Sequence, residues 1–390
     1  MAEFDFVIAG GGVAGLSLAY QMAQSSLRGQ TILIADRESK ADVQCAWGFW
    51  ADRPHRLDHL VFRTWDQAEV TGEDFHRTFD LRPYSYRLIL GADFFQRVTE
   101  TLSGVPGVSF LLGRVNQITD TKSKQAAQVM IDTGTGDTPY GARYAFDSIL
   151  RPTDLTAGPA RFHYLKQHYK GWEVETNADC FNPRAVTLFD FRTPQQGSLR
   201  FFTIFPFTKR RALVEYIIYS ASPLKEHEYD RALANYIEQI HGLSDYRVAS
   251  TVKGAIPLTD RPIQRRLGER ILAIGARGGL VTPFSNGGFN RIQKDSAAIV
   301  QSLINHGHPF AIPNTSRYRL FDSLALQIIH RQGDDMSRLI LRLFETHPIQ
   351  RVLGFLDEPA RFPESAQMLA SLPASPFLKA FFRVKLLRKV

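Results

Sequence analysis

The chain has 390 residues, 44% of them hydrophobic and 12% aromatic with 28 Phe, so it is long enough for two lobes and too apolar for disorder. The formal net charge of +8 suits an acidic partner, but the arginines are spread along the chain and form no nucleic-acid motif, which favours an anionic lipid surface and no nucleic acid. Two cysteines, Cys45 and Cys180, exclude a disulfide framework and show no metal-ligand spacing, so a reducing compartment and no metal are expected.

Met1 leads directly into a strand at Phe4–Ala9, and no stretch reaches about 18 uninterrupted apolar residues. The expectation is a cytoplasmic protein, peripheral on the inner face of the cell membrane without crossing it. Gly10–Gly15 reads as a turn, Ala14–Ser25 as a helix, and Thr31–Ala35 as a second strand ending in Asp36. Residues 41 to 90 read as loops and short strands over a cofactor. A helix at Ala92–Leu102, a strand at Val108–Leu112 and strands across Asn116–Tyr144, broken by a turn at 134–137, come next. Ala145–Ile149 is an apolar strand, and the prolines and glycine of 150–159 mark a crossing into a second lobe. That lobe holds β-type runs at Ala185–Phe191, Leu199–Phe205 and Arg211–Tyr219, then a helix at Glu228–His241. Arg270–Ile274 is another buried strand, followed by a glycine-rich loop and a helix at Phe289–Asn305. From about 315 helical patterns alternate with prolines. The end, Phe377–Val390, mixes Lys379, Arg383, Lys385, Arg388 and Lys389 with Phe, Leu and Val, as either a docked helix or an interfacial membrane contact.

Gly10-x-Gly12-x-x-Gly15 allows a sharp strand-to-helix turn, close approach of backbone to a pyrophosphate, and tight helix–strand packing, with Ala14 at the helix start. The helix N-terminus offers free N–H groups to the phosphates, and Asp36, at the end of the second strand, suits a ribose. A simple dehydrogenase continues with alternating helices and strands. This chain returns to the nucleotide fold late, at Arg270–Ile274 with Gly275, Gly278 and Gly279, a layout that suits FAD, held without a covalent link. The predicted fold is α/β (α+β overall): a Rossmann-like FAD-binding domain from 1–150 and 256–310, an inserted antiparallel β-sheet substrate domain at 151–255 with part of 41–90, and a helical C-terminal region at 311–390.

With these segments in place, the sequence resembles the lycopene β-cyclase family of carotenoid biosynthesis, its bacterial flavoprotein branch in particular, along nearly the whole chain. The likeness is carried by Trp47-Gly-Phe-Trp50, Pro83-Tyr-Ser-Tyr86, Phe146-Asp-Ser148, His168-Tyr-Lys-Gly-Trp-Glu173, Asp190-Phe-Arg-Thr-Pro194, Leu213-Val-Glu-Tyr216, Gly254-Ala-Ile-Pro-Leu-Thr259 and Ile274-Gly275 with Gly278-Gly279. The resemblance implies cyclisation of a linear polyene with no net redox change, reduced FAD at the site, and NADPH or NADH only as reductant. It also implies that Glu215 is the acid–base group. In the sequence Glu215 sits in an apolar strand that would raise a carboxyl pKa by desolvation, and its other reading is a buried carboxylate paired with Arg210, Arg211 or another arginine. Asp147 is either a loop carboxylate or a flavin-side group. Trp47, Phe49, Trp50, Tyr84 and Tyr86 are candidates to line a tunnel for an apolar polyene or terpenoid, with core packing as the alternative.

Three positions depart from the family pattern. Gly287 stands where a tyrosine is common, within Ser285-Asn-Gly-Gly-Phe289, which places Asn286 among the pocket candidates; Arg277 interrupts the late glycine run; and Lys253 replaces a glutamate. Arg277 is expected near the cofactor, either widening the substrate range or balancing an anionic reduced flavin. A flavin monooxygenase, a cyclase of another terpenoid and a non-catalytic carrier remain as alternative functions.

Overall fold

The computed structural model describes residues 2–40, 45–54, 56–123, 125–156, 162–283, 288–313, 319–357 and 367–389. The chain divides into two compact units, each assembled from three separate stretches. One comprises residues 1–43, 91–157 and 262–317, the other 44–90, 158–261 and 318–390.

The first unit is built on a seven-stranded sheet. Phe6, Val7, Ile8 and Ala9 are all buried, as a strand covered on both faces requires, and Ala2–Ala9 lies between the parallel strands Ile32–Asp36 and Asp137–Asp147. Val108–Leu112 extends the parallel set beyond Ile32–Asp36. The long strand Asp137–Asp147 changes partners along its length. Its start pairs antiparallel with Ala127–Asp132, itself paired with Arg114–Asp120, while its end pairs in parallel with Ile271–Ala273 through Asp147 and Ala273. Helix Val13–Ala23 packs on helix Phe289–His306, where Gln293 Nε2 donates to Ser17 Oγ at 2.6 Å and Gln21 Nε2 donates to the Gln293 carbonyl at 3.0 Å.

The second unit holds a seven-stranded sheet in the order Tyr246–Thr259, Tyr164–Thr176, Arg211–Ser220, Leu199–Pro206, Ala185–Asp190, Gln67–Thr71 and His76–Asp80. The first two strands, 14 and 13 residues long, are absent from the sequence reading, because polar residues alternate irregularly through both. Segment 44–90 falls wholly in this unit. Gln67–Thr71 joins the large sheet, and Ala46–Ala51, Ser85–Leu90 and Val61–Trp65 form a three-stranded sheet. The chain re-enters the first unit at residue 262 rather than 256, because strand Tyr246–Thr259 runs through that point.

Alternation along Arg211–Ser220 sorts its side chains by face. Val214, Tyr216 and Ile218 join Phe202 and Ile204 in an apolar cluster under helix Glu226–Asn235 and the π-helical turn Tyr236–Ile240. Leu213, Glu215, Ile217 and Tyr219 face the other way, toward the side where helix Gly333–Thr346 brings Phe344 onto Phe189, which in turn meets Phe201.

A buried polar knot joins three of these elements. The His163 amide donates to Asp260 Oδ1 at 2.7 Å, and its ring nitrogens lie 3.0 Å from Asp260 Oδ2 and 2.9 Å from Gln327 Oε1. The knot binds the start of Tyr164–Thr176, the end of Tyr246–Thr259 and helix Arg319–Arg331. Removing Asp260 leaves the His163 amide and a ring nitrogen without their buried hydrogen-bond partner, so Asp260→Ala is expected to cost about 1–3 kcal/mol in equilibrium urea unfolding.

Candidate functional site

In the first unit, the strand–turn–helix places its glycines for different reasons. Gly10 takes φ +101°, and its amide donates to the Ala35 carbonyl at 2.7 Å. A Cβ on Gly15 would fall on the Gly10 carbonyl oxygen, so this position lets helix and turn close on one another. A Cβ on Gly12 would meet nothing within 4 Å, which leaves the backbone open to an approaching ligand. The helix that follows has no side-chain N-cap, so its first amides remain available to an anion.

Asp36 secures the turn from the neighbouring strand. Its Oδ2 accepts from the Gly11 amide at 2.7 Å and its Oδ1 from the Glu38 amide at 3.1 Å, with Lys40 Nζ 3.4 Å away. Gly11 escaped the sequence reading, although its place inside the glycine run was the available signal. A cavity of about 480 Å³ opens here, lined by Gly11, Asp36, Lys40, Phe95, Phe110 and Leu112. Phe110 and Leu112 are exposed, an apolar wall beside a carboxylate. That combination could hold a nucleoside.

The late glycine turn reaches the same edge of the sheet. Gly275 adopts φ +59°, and a Cβ there would come within 2.5 Å of the Ala14 Cβ, so Ala14 packs the two loops together. Gly278 passes close over the Ala273 carbonyl, and Gly279 takes φ +77°. Arg277 is engaged within the unit. Its Nη1 lies 2.9 Å from Asp154 Oδ1 and its Nε 3.7 Å from Asp147 Oδ2, while Arg151 Nη1 lies 2.8 Å from the same Asp147 oxygen. Two guanidinium groups and two carboxylates thus balance, and Asp147 anchors this network at the strand end. Asn286 and Gly287 lie outside the described residues.

In the second unit, Glu215 lies mid-strand and is only 7% exposed. It pairs across the sheet with Gly171 on one side and Thr203 on the other. A Cβ on Gly171 would stand 2.8 Å from Glu215 Cγ, so the missing side chain is the space the glutamate occupies. The carboxyl has no hydrogen-bond or ion-pair partner among the described residues. Arg210 pairs with Asp179 and Arg211 with Glu173, which removes the alternative of a salt bridge to either. Burial raises the Glu215 carboxyl from 4.5 to about 8.

Two further acidic groups stand near it. Burial pushes the Cys45 thiol up to about 12, with the Glu215 charge adding to the effect, and burial together with Glu215 and Cys45 also raises the Tyr169 phenol. Tyr169 shares Gly171's face of the sheet, and a Cβ on Gly254 would fall 2.6 Å from its hydroxyl oxygen. At neutral pH the cluster therefore holds protons and little charge. Neither Cys45 nor Tyr169 was singled out from sequence, although Tyr169, Gly171 and Gly254 lie in two of the family-like motifs.

The aromatic candidates are divided by strand alternation. Trp50 and Tyr86 are paired in register, with centroids 6.1 Å apart, and Tyr86 stacks on Phe205 beside the buried Trp65. Trp47 and Phe49 point to the opposite face of the same strand. Tyr84 precedes strand Ser85–Leu90 and is partly exposed. The five residues do not share one wall.

The Lycopene cyclase protein family matches residues 5–381. A geranylgeranyl bacteriochlorophyll reductase-like protein from Thermoplasma acidophilum has a similar fold, with 14% identity, 99% of this chain and 100% of that chain covered, and a TM-score of 0.63. A flavin-dependent brominase (12% identity, 100% and 99% covered, TM-score 0.59) and a p-nitrophenol 4-monooxygenase from Pseudomonas putida (14%, 100% and 98%, 0.57) share it too. No curated protein matches the chain.

The raised carboxyl has a consequence for stability. Between 4.5 and about 8 the folded protein holds a Glu215 proton that the unfolded chain has released, so stability falls as pH rises through this window and levels off above it. Glu215→Gln is expected to flatten that part of the curve and to exceed the parent by on the order of a few kcal/mol above pH about 8, read by chemical denaturation across pH.

Proposed function

We propose that this chain, which belongs to the lycopene cyclase protein family, closes a β-ionone ring at the end of a linear carotene, with Glu215 giving and recovering the proton. The observation that carries this reading is a buried carboxyl, without a partner among the described residues, that stays protonated at neutral pH. An acid of this kind is poised to protonate an apolar alkene that a solvated carboxylate would leave untouched.

The sequence of events balances within the substrate. The Glu215 proton adds to the terminal double bond, the neighbouring alkene attacks the resulting cation to form the ring bond, and a ring carbon then loses a proton. The carboxylate takes up that proton, so product and substrate are isomers. Gly171 leaves room for the Glu215 side chain, and the protonated state of Tyr169 and Cys45 keeps competing anions away from the cation.

The cradle of Gly10, Gly12, Gly15 and Asp36 fits FAD: the Gly12 turn would hold its phosphates, and Asp36, Phe110 and Leu112 would hold its nucleoside part. Reduced flavin would supply negative charge that stabilises the carbocation, with NADPH or NADH maintaining that state. The Arg277 network would hold the late glycine turn beside it without adding net charge.

An apolar substrate needs access from lipid. No described helix is long and apolar enough to cross a membrane, but helix Ala374–Lys389 exposes Leu378, Phe382 and Leu386 by 54%, 62% and 69% along one face. Its other face buries Ala380 and Val384 and packs on helix Arg319–Arg331. Lys379, Arg383 and Lys385 flank the exposed stripe, a charge pattern complementary to anionic headgroups.

Three outcomes test these readings. In a lycopene-accumulating bacterial host the parent protein is expected to yield β-rings and Glu215→Gln none, with FAD still bound to the purified variant; oxygen-dependent NADPH consumption without cyclisation would replace this reading by a monooxygenase. Gly12→Val is expected to leave the fold intact and weaken FAD at least tenfold, read by flavin fluorescence, because its side chain enters empty space in the protein and the path of the phosphates. Flotation with anionic vesicles is expected to recover the parent and to fall sharply with Leu378→Ser, Phe382→Ser and Leu386→Ser combined; undiminished recovery would remove the helix as the contact.

A further inference from the structure

The stretch Asp190-Phe-Arg-Thr-Pro194 takes no part in the chemistry above, yet it is elaborately held. Asp190 is 1% exposed, and it accepts from Arg192 Nε at 3.0 and 3.2 Å and from the Tyr236 hydroxyl at 2.7 Å. Burying a carboxylate to grip one edge of an arginine fixes the direction of the guanidinium plane and leaves its Nη1 outside the pair.

Arg200 borders the same space from strand Leu199–Pro206. Its Nη1 donates to Gln196 Oε1 at 2.6 Å, its Nε is buried without a hydrogen-bond partner, and no carboxylate pairs with it among the described residues. Gln196 is the one non-glycine residue with positive φ among those described, at 49°. It shares the tight turn with Gly197, closed by the Ser198 amide on the Gln195 carbonyl at 3.0 Å, where asparagine or glycine fits with less strain. A strained glutamine therefore steadies an arginine that has no counterion among the described residues.

Arg231, exposed on helix Glu226–Asn235, supplies a third guanidinium and meets no carboxylate among the described residues. The three arginines line a cavity of about 380 Å³ whose floor is the stack Tyr216, Phe202 and Tyr236, with centroids 4.5 and 3.8 Å apart. Glu228, the acidic residue of the lining, accepts from the Lys225 amide at 2.7 Å. The cavity lies on the sheet face that carries Tyr216, opposite the face that carries Glu215.

We infer that this cavity binds a phosphate monoester. Asp190 holds Arg192 and Arg231 is exposed, but the partly buried Arg200 has no anion among the described residues, and Asp190 and Glu228 together leave the three arginines with surplus positive charge. A phosphate monoester brings three terminal oxygens and close to two negative charges, which match the planar guanidinium forks. The volume leaves room for a small organic group beside the phosphate.

Calorimetry on the FAD-loaded protein with inorganic phosphate, against chloride at matched ionic strength, tests the site. Saturable phosphate binding is expected, weakened about tenfold by Arg231→Gln and by Arg200→Gln. Arg231 is exposed, so that variant tests the site even if loss of Arg200 disturbs the fold. Glycerol 3-phosphate binding in solution identifies a soluble ligand, whereas binding confined to phosphatidic acid vesicles identifies a lipid headgroup. Absence of saturable binding to inorganic phosphate, glycerol 3-phosphate and phosphatidic acid vesicles alike, or equal affinity in Arg231→Gln, overturns the assignment.

Discussion

A carboxyl buried in a β-sheet with no partner among the described residues constrains everything packed around it. Ionised, Glu215 would need a cation or several hydrogen-bond donors; neutral, it needs only space and the absence of charge. The second unit meets the second condition. Gly171 gives the space, and the nearby arginines are held elsewhere, Arg210 by Asp179 and Arg211 by Glu173. Lys170, one residue from Gly171, pairs on the opposite face with Glu226 and Asp230 of helix Glu226–Asn235. The acidic neighbours that remain, Tyr169 and Cys45, are themselves pushed toward their neutral forms.

The first unit solves a different electrostatic problem, that of receiving negative phosphates. It uses unfilled backbone donors more than side-chain cations: an open glycine, an uncapped helix and an aspartate that fixes the turn through Gly11. The basic residue closest in sequence to the late glycines, Arg277, is neutralised by Asp147 and Asp154. A family departure that reads in sequence as an added cation is in the fold a brace between the strand end, the segment at 151–156 and the glycine turn.

What was legible in the sequence is what short-range pattern encodes. The apolar strand at Phe4–Ala9, the glycine spacing, Asp36 and the helix from Phe289 follow from local periodicity and turn chemistry, and the structure has them in place. Strands Tyr164–Thr176 and Tyr246–Thr259 were not legible, because their mixed polarity belongs to a sheet whose burial is set by distant partners. Segment 44–90 has the same difficulty: Gln67–Thr71 finds its parallel partner in Ala185–Asp190, a pairing no local window contains. At the site, Glu215 was legible through its apolar flanks, but the convergence of Cys45, Tyr169 and Gly171 on it depends on register. Register also separates Trp47 and Phe49 from Trp50 and Tyr86.

The interleaved connectivity bears on how the protein emerges from the ribosome. Strand Asp137–Asp147 waits for Ile271–Ala273 to cover its end, and helix Val13–Ala23 waits for Phe289–His306. Helix Arg319–Arg331, which holds Gln327, completes the polar knot later still. Long-range pairings of this kind are slow to form, and their unpaired edges stay exposed meanwhile. The last stretch of the first unit ends at residue 317, whereas the second unit still lacks 318–390 at that point, so the first unit has all of its chain earlier although neither is a contiguous N-terminal domain. A chain split at either outermost crossing, 43/44 or 317/318, would keep one unit's stretches in a single fragment, whereas a split at any of the crossings between them would divide both units.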